Sequence, residues 1–157
     1  MAGPWIPSIL LVEDNPSDIL MIGEAFVSAG FEVRMKSVWN GQEALEFLQR
    51  RGRHASATRP DIVLLDMNLP ILSGREVLAA MAADGSLNTI PVVILTGSRF
   101  EGSAQQLYPA DRSLFIVKPP GFRELVDVIR RVARFAASFR EPPPYPLDFA
   151  HCTRDEP

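Results

Sequence analysis

The 157-residue chain has one cysteine, two histidines and no long apolar run, and each shortage excludes something. Cys152 has no partner for an internal disulfide, so the expected compartment is reducing and cytoplasmic. The longest apolar stretches, such as Ile62–Leu65, fall far short of the roughly 20 residues that cross a bilayer, which argues against a membrane protein. The first residues lack the basic patch and apolar core of a signal peptide, so export is not expected. Positive charge is also scarce. Sixteen Lys and Arg against nineteen Asp and Glu give a net charge of −3 with no basic stripe, so nucleic acid is not an expected direct partner. His54 lies in a polar loop and His151 in the tail, neither with metal-ligand spacing around it.

What is present suits one folded domain. Hydrophobic residues make up 46% of the chain, enough for a core, and charged residues 22%. Short runs rich in Val, Ile and Leu read as buried strands at Ser8–Val12, Asp61–Leu65, Pro91–Leu95 and Ser113–Val117. The more polar Phe31–Lys36 alternates and reads as an edge strand. Helical patterns begin near Pro16, Asn40, Gly74 and Phe122, the last with Leu125, Val126, Ile129, Val132 and Ala136 on one face. The connection Phe100–Tyr108 is only weakly helical. Five strand–helix alternations imply a mostly parallel sheet with helices on both faces, because each parallel pairing needs a crossover. From Glu141 the pattern changes, and Pro142, Pro143, Pro144 and Pro146 favour an extended arm. The expected organisation is an N-terminal arm over residues 1–7, a domain over 8–139 and a Pro-rich arm over 140–157.

Open parallel α/β sheets bind ligands at the carboxyl ends of their strands. Glu13 and Asp14 follow the first strand, Asp66 the third, Thr96 the fourth and Lys118 the fifth. Three converging carboxylates repel one another by roughly 3 kcal/mol per pair at 5 Å and an effective dielectric near 20. Oxygen ligands without His or Cys favour a hard divalent cation, and Mg²⁺ takes only one or two carboxylates while keeping positions open. Lys118 supplies positive charge on the other side and Thr96 a hydrogen-bond donor. An aspartate is ionised at neutral pH and attacks phosphorus without a general base, and phosphoryl transfer depends mainly on positioning and charge stabilisation.

Val12-Glu13-Asp14, Leu65-Asp66-Met67, Leu95-Thr96-Gly97-Ser98 and Lys118-Pro119, in this order on successive strands, resemble the receiver domain of bacterial two-component response regulators over roughly residues 8–139. Asp66-Met67-Asn68-Leu69-Pro70, Ile90–Thr96 and the extra length Arg51–Pro60 are similar to the stand-alone regulators paired with bacterial and cyanobacterial phytochromes. The resemblance implies a flavodoxin-like (βα)5 three-layer sandwich with a parallel sheet in the order 2-1-3-4-5. It also implies a phosphoacceptor at Asp66, with Mg²⁺ held by Glu13, Asp14, Asp66 and the backbone carbonyl of Asn68. Thr96 and Lys118 then grip the phosphoryl group, Phe115 falls at the switch position, Lys118-Pro119 is a cis peptide and Gly97 leaves access. The implied partner is a sensor histidine kinase, with a bacteriophytochrome as one form of it. The expected function is a switch or phosphorelay step and not enzymatic turnover beyond self-phosphorylation and slow autodephosphorylation. With no effector domain following, the expected output is a protein contact or onward transfer.

Each residue also has a plainer reading. Asp14 or Asn15 can cap the helix at Pro16, Trp5 can anchor the N-terminal arm, and Trp39 can cover the second helix. An aspartyl-nucleophile phosphatase is the first rival, but it needs an acid two residues after the nucleophile, where Asn68 stands. A phosphate-independent binding module is the second. No Gly-rich phosphate loop follows the first strand, which argues against a nucleotide-binding protein of that kind. Asp111-Arg112 replace the family's Gly-Ala pair, and Pro109 shortens the preceding segment, so the output face departs from the family. Val128, Phe135 and Phe139 widen the apolar stripe of the last helix. They point to a homodimer through that helix and its neighbouring strand, with the arm 145–149 crossing over; the alternative reading of the arm is a frayed tail.

Overall fold

A computed structural model describes residues 5–97 and 99–140. Five strands, β1 (Ser8–Val12), β2 (Arg34–Val38), β3 (Ile62–Leu65), β4 (Val92–Thr96) and β5 (Ser113–Val117), form one parallel sheet in the order β2-β1-β3-β4-β5. This is the flavodoxin-like order that the resemblance implied. Helices α1 (Pro16–Ser28) and α4 (Phe122–Ala137) cover one face, while α2 (Gly41–Leu48), α3 (Gly74–Ala83) and a 3-10 segment cover the other. Strands β3 and β4 are buried along their whole length, so both faces must be apolar and their sequences read as unbroken runs.

The edge strand lies three residues later than the alternation of Phe31–Lys36 suggests. Helix α1 ends in a Schellman arrangement: Gly30 adopts φ +81°, its N–H donates to the Val27 carbonyl, and the Phe31 N–H donates to the Phe26 carbonyl. Phe31 and Val33 are thereby spent on the α1/α4 core, and pairing with β1 begins only at Arg34, opposite Ser8. The connection after β4 forms a nine-residue 3-10 helix, Arg99–Leu107, with a second short one at Ala110–Arg112. Runs of that length are uncommon because the hydrogen-bond geometry is poorer than in an α-helix. Its end is anchored where the buried Tyr108 hydroxyl lies 2.5 Å from the Ile90 carbonyl oxygen and 3.0 Å from that of Leu87.

Trp5 packs against the α1/α4 core, with the Arg140 guanidinium 4.5 Å above its ring. Val128 and Phe135 are half-buried against the same core. Of the expected apolar strip only Phe139 is exposed (38%), its ring edge-on to Phe135. Trp39 lies just past the end of β2 and is 60% exposed, its backbone N–H donating to Glu43 Oε2 of α2 at 3.4 Å. The arm 145–149, His151 and Cys152 lie outside the described residues.

Candidate phosphoryl-acceptor site

The carboxyl ends of β1, β3, β4 and β5 meet at one cleft, and the loops that follow them are tied together by the main chain. The Asp66 N–H donates to the Val12 carbonyl (3.1 Å), and the Lys118 N–H donates to the Thr96 carbonyl (2.6 Å). Pairing of Thr96 with Val117 sets the last two loops side by side. Residues separated by up to 105 positions in the chain thus come within bonding distance.

The helix cap is made by Asn15, not Asp14. Its side chain accepts from the Ser17 and Asp18 N–H groups at 2.9 and 3.4 Å, while Glu13 Oε1 accepts the Asn15 N–H at 3.2 Å. Asp14 is left exposed at the mouth. Glu13, Asp14 and Asp66 each bring one carboxylate oxygen within 4.8 Å of the others. Asp66 Oδ1 accepts the Asn68 N–H (3.1 Å), which folds the β3–α3 loop back over its own carboxylate. The close approach of that loop to α3 depends on Gly74, whose N–H donates to the Met67 carbonyl (3.1 Å).

Lys118 holds the cluster together. Its Nζ donates to Glu13 Oε2 at 2.6 Å, to Asp18 Oδ2 at 2.9 Å and to Asp66 Oδ2 at 3.4 Å. Burial pushes the Glu13 carboxyl up to about 7; the bond from Lys118 opposes this and the charge of Asp66 adds to it. Burial also favours the neutral Lys118 amine. The bonds to Glu13 and Asp18 outweigh that effect and hold the ammonium above its ordinary range.

Sequence reasoning missed Asp18. An acid in the first turn of a helix is ordinarily read as complementing the helix dipole. Its spacing, one turn past Asp14 on the same loop-to-helix element, was the available signal. A second omission is Ile71, a β-branched residue held at φ +68° in the tight turn closed by the Leu72 N–H on the Pro70 carbonyl (2.8 Å). Such strain costs about 1–3 kcal/mol and here sits in the loop that positions Asp66.

Thr96 is buried at the end of β4, and Phe115 is half-buried, packed toward the α2/α3 core and paired with Ile94. A side chain at Gly97 would meet no atom of the described residues within 4 Å, its chain neighbours apart. His54 stands apart, its ring 5.2 Å from that of Phe47. Among the described residues the carboxylates outnumber the single ammonium in the cleft, and no histidine or cysteine joins them. The donor set is all oxygen with surplus negative charge, and it can coordinate a hard divalent cation of the Mg²⁺ type.

Comparison with known proteins agrees with this geometry. The model of the response regulator receiver domain matches residues 9–130. Response regulator Rcp1 of Synechocystis is 32% identical over 127 residues, covering 81% of this chain and 86% of that protein. The crystal structure of the phosphorylated cyanobacterial phytochrome response regulator RcpA superposes with a TM-score of 0.77 at 35% identity, covering 87% of this chain and 97% of that one. The bacteriophytochrome response regulator AtBRR gives a TM-score of 0.68 at 33% identity, over 83% and 94% of the two chains. With the strand order, the acidic cluster at the strand ends and the sequence in agreement, the chain belongs to the response regulator receiver domain family.

Proposed function

We propose that Asp66 accepts a phosphoryl group from the phosphohistidine of a sensor kinase, and that the loaded state is read as a change in protein contacts. The observation that carries this reading is the meeting of Glu13, Asp14 and Asp66 within 4.8 Å beside the Lys118 ammonium. In the transfer, a carboxylate oxygen of Asp66 forms a bond to phosphorus while the phosphorus–nitrogen bond to the donor histidine breaks. The electron pair of that bond leaves with the imidazole. Glu13, Asp14, Asp66 and the Asn68 carbonyl are the groups to hold Mg²⁺. Bound there, the ion offsets charge on the phosphoryl oxygens.

Lys118 has the reach and charge to bind a phosphoryl oxygen once one of its carboxylate partners gives way. Thr96, the last residue of β4, is the hydroxyl donor. Phe115, half-buried beside them, has room to change its burial when Thr96 is drawn toward the new group, which shifts an existing equilibrium. Asn68 stands where an aspartyl phosphatase needs a proton donor, so turnover on phosphate esters is disfavoured. Two of the relatives are named for cyanobacterial phytochrome and bacteriophytochrome, which supports a photoreceptor kinase as the donor.

Incubation with Mg²⁺ and acetyl phosphate tests the acceptor. Intact mass gains one phosphoryl group in the unaltered protein and none in Asp66→Asn. Incorporation that survives the substitution rejects Asp66.

A further inference from the structure

A second concave site lies on the opposite side of β1 from the Asp66 loop, at the free edge of the sheet. Helix α2 is only eight residues long and stops at Leu48, so it covers Val38 but leaves the first half of β2 bare. Strand alternation puts Arg34, Lys36 and Val38 on one face. The far wall is the extra length noted at Arg51–Pro60, which has no part in the carboxylate cleft. It folds back through the 3-10 turn Gly52–His54. Glu43 of α2 pins it by an ion pair with Arg53 and a contact of 3.3 Å to His54 Nε2, while the His54 ring rests on Phe47.

The result is a cavity of about 400 Å³ between β2 and this loop. Its floor is apolar, with Phe47, Val38 and Pro60 buried, and its rim carries Arg34, Lys36, Ser56 and Thr58. Among the described residues the side chains of Arg34 and Lys36 are in no ion pair, whereas Arg53 on the same rim is paired with Glu43. On a flat surface two such cations bind little, because salt and water screen them. Set at the edge of a concave apolar wall, their field is focused on whatever enters.

We propose that this groove binds a small phosphate monoester with an aromatic or apolar body. The phosphate would sit between Arg34 and Lys36, with the hydroxyls of Ser56 or Thr58 as further donors, and the body would lie on the Phe47 side. Guanidinium supplies paired donors suited to a phosphate, and the volume lies within the range of small-molecule sites. The inference does not rest on the role given to Asp66, which is on another part of the molecule.

Calorimetric titration of the whole protein with AMP, in the absence of divalent cations, tests it. Saturable binding is expected, with inorganic phosphate and adenosine each about tenfold weaker or worse, since each offers only half of the recognised chemistry. Arg34→Ala combined with Lys36→Ala should cost at least about tenfold in affinity. Asp66→Asn should leave binding unchanged and Lys36→Arg should retain it. Both cations are exposed, so a matched urea midpoint in the double variant shows that the fold is intact. No saturable binding, binding indifferent to both cations, or binding lost in Asp66→Asn would each overturn the proposal. So would a response to an acidic peptide alone, or AMP binding that emerges only after residues 141–157 are removed.

Discussion

Gly74 offers a test in which steric and conformational reasoning predict opposite signs. It is the first residue of α3, its φ is not in the left-handed region, and Ser73 and Glu76 form a capping box around it. On propensity alone, Gly74→Ala should be neutral or stabilising by up to about 1 kcal/mol. A methyl group there would stand 2.5 Å from the Asp66 carbonyl oxygen and 2.6 Å from Met67 Cα. Both are backbone atoms of the acceptor loop and cannot swing aside. Overpacking of this kind costs about 1–3 kcal/mol, and more when backbone must move. A net loss of about 2 kcal/mol would lower the melting temperature by roughly 4–8 °C in a chain of this size. Because the displaced atoms belong to Asp66 and its neighbour, labelling by acetyl phosphate should also slow by about tenfold or more. Gly23→Ala is the control. It lies within α1, where the new methyl would find only Met35 Cε at 3.6 Å, and it should gain about 0.5–1 kcal/mol. Urea unfolding with parallel mass-resolved labelling decides the matter. If Gly74→Ala were as stable as Gly23→Ala and labelled at the normal rate, the close approach of α3 to the acceptor loop would be refuted.

Ile71→Asn should stabilise the protein by about 1 kcal/mol, because Asn tolerates the left-handed region and Ile71 is exposed. A loss of stability in urea would show that the isoleucine side chain makes a contact that matters. Tyr108 is pushed up to about 12 by burial, above the ordinary phenol value near 10. Its neutral form is favoured by the fold, so the contribution is complete below pH 10 and is lost as pH rises to 12. Stability should fall by about 2 kcal/mol across that window in excess of Tyr108→Phe, and identical alkaline profiles for the two would discount the anchor. A homodimer through α4 and β5 predicts that Phe139→Glu shifts sedimentation toward monomer. Monomer alone at high micromolar concentration in the unaltered protein would reject the pairing.

The parts of the fold that were legible in the sequence are those where one physical demand acts alone. Strands β1, β3 and β4 are covered on both faces, so apart from Ser8 and Thr96 at their ends every residue is apolar and the run announces itself. Strand β2 answers to two demands, since Phe31 and Val33 are apolar for the sake of the α1/α4 core and only the later residues pair with β1. Alternation cannot separate the two uses, and the boundary slips. The cleft follows the same division. Glu13, Asp66 and Lys118 stand just past strand ends and Thr96 closes β4, and in a parallel sheet topology alone brings such positions together. Asp18 lies on a helix, where joining the cluster depends on the phase of a single turn, which Asn15 sets by capping at that point. A cap one residue earlier would change the phase at which Asp18 enters the cleft by about 100°, one residue's turn of an α-helix. The side chain with no evident chemistry of its own thus determines which acids the lysine can reach.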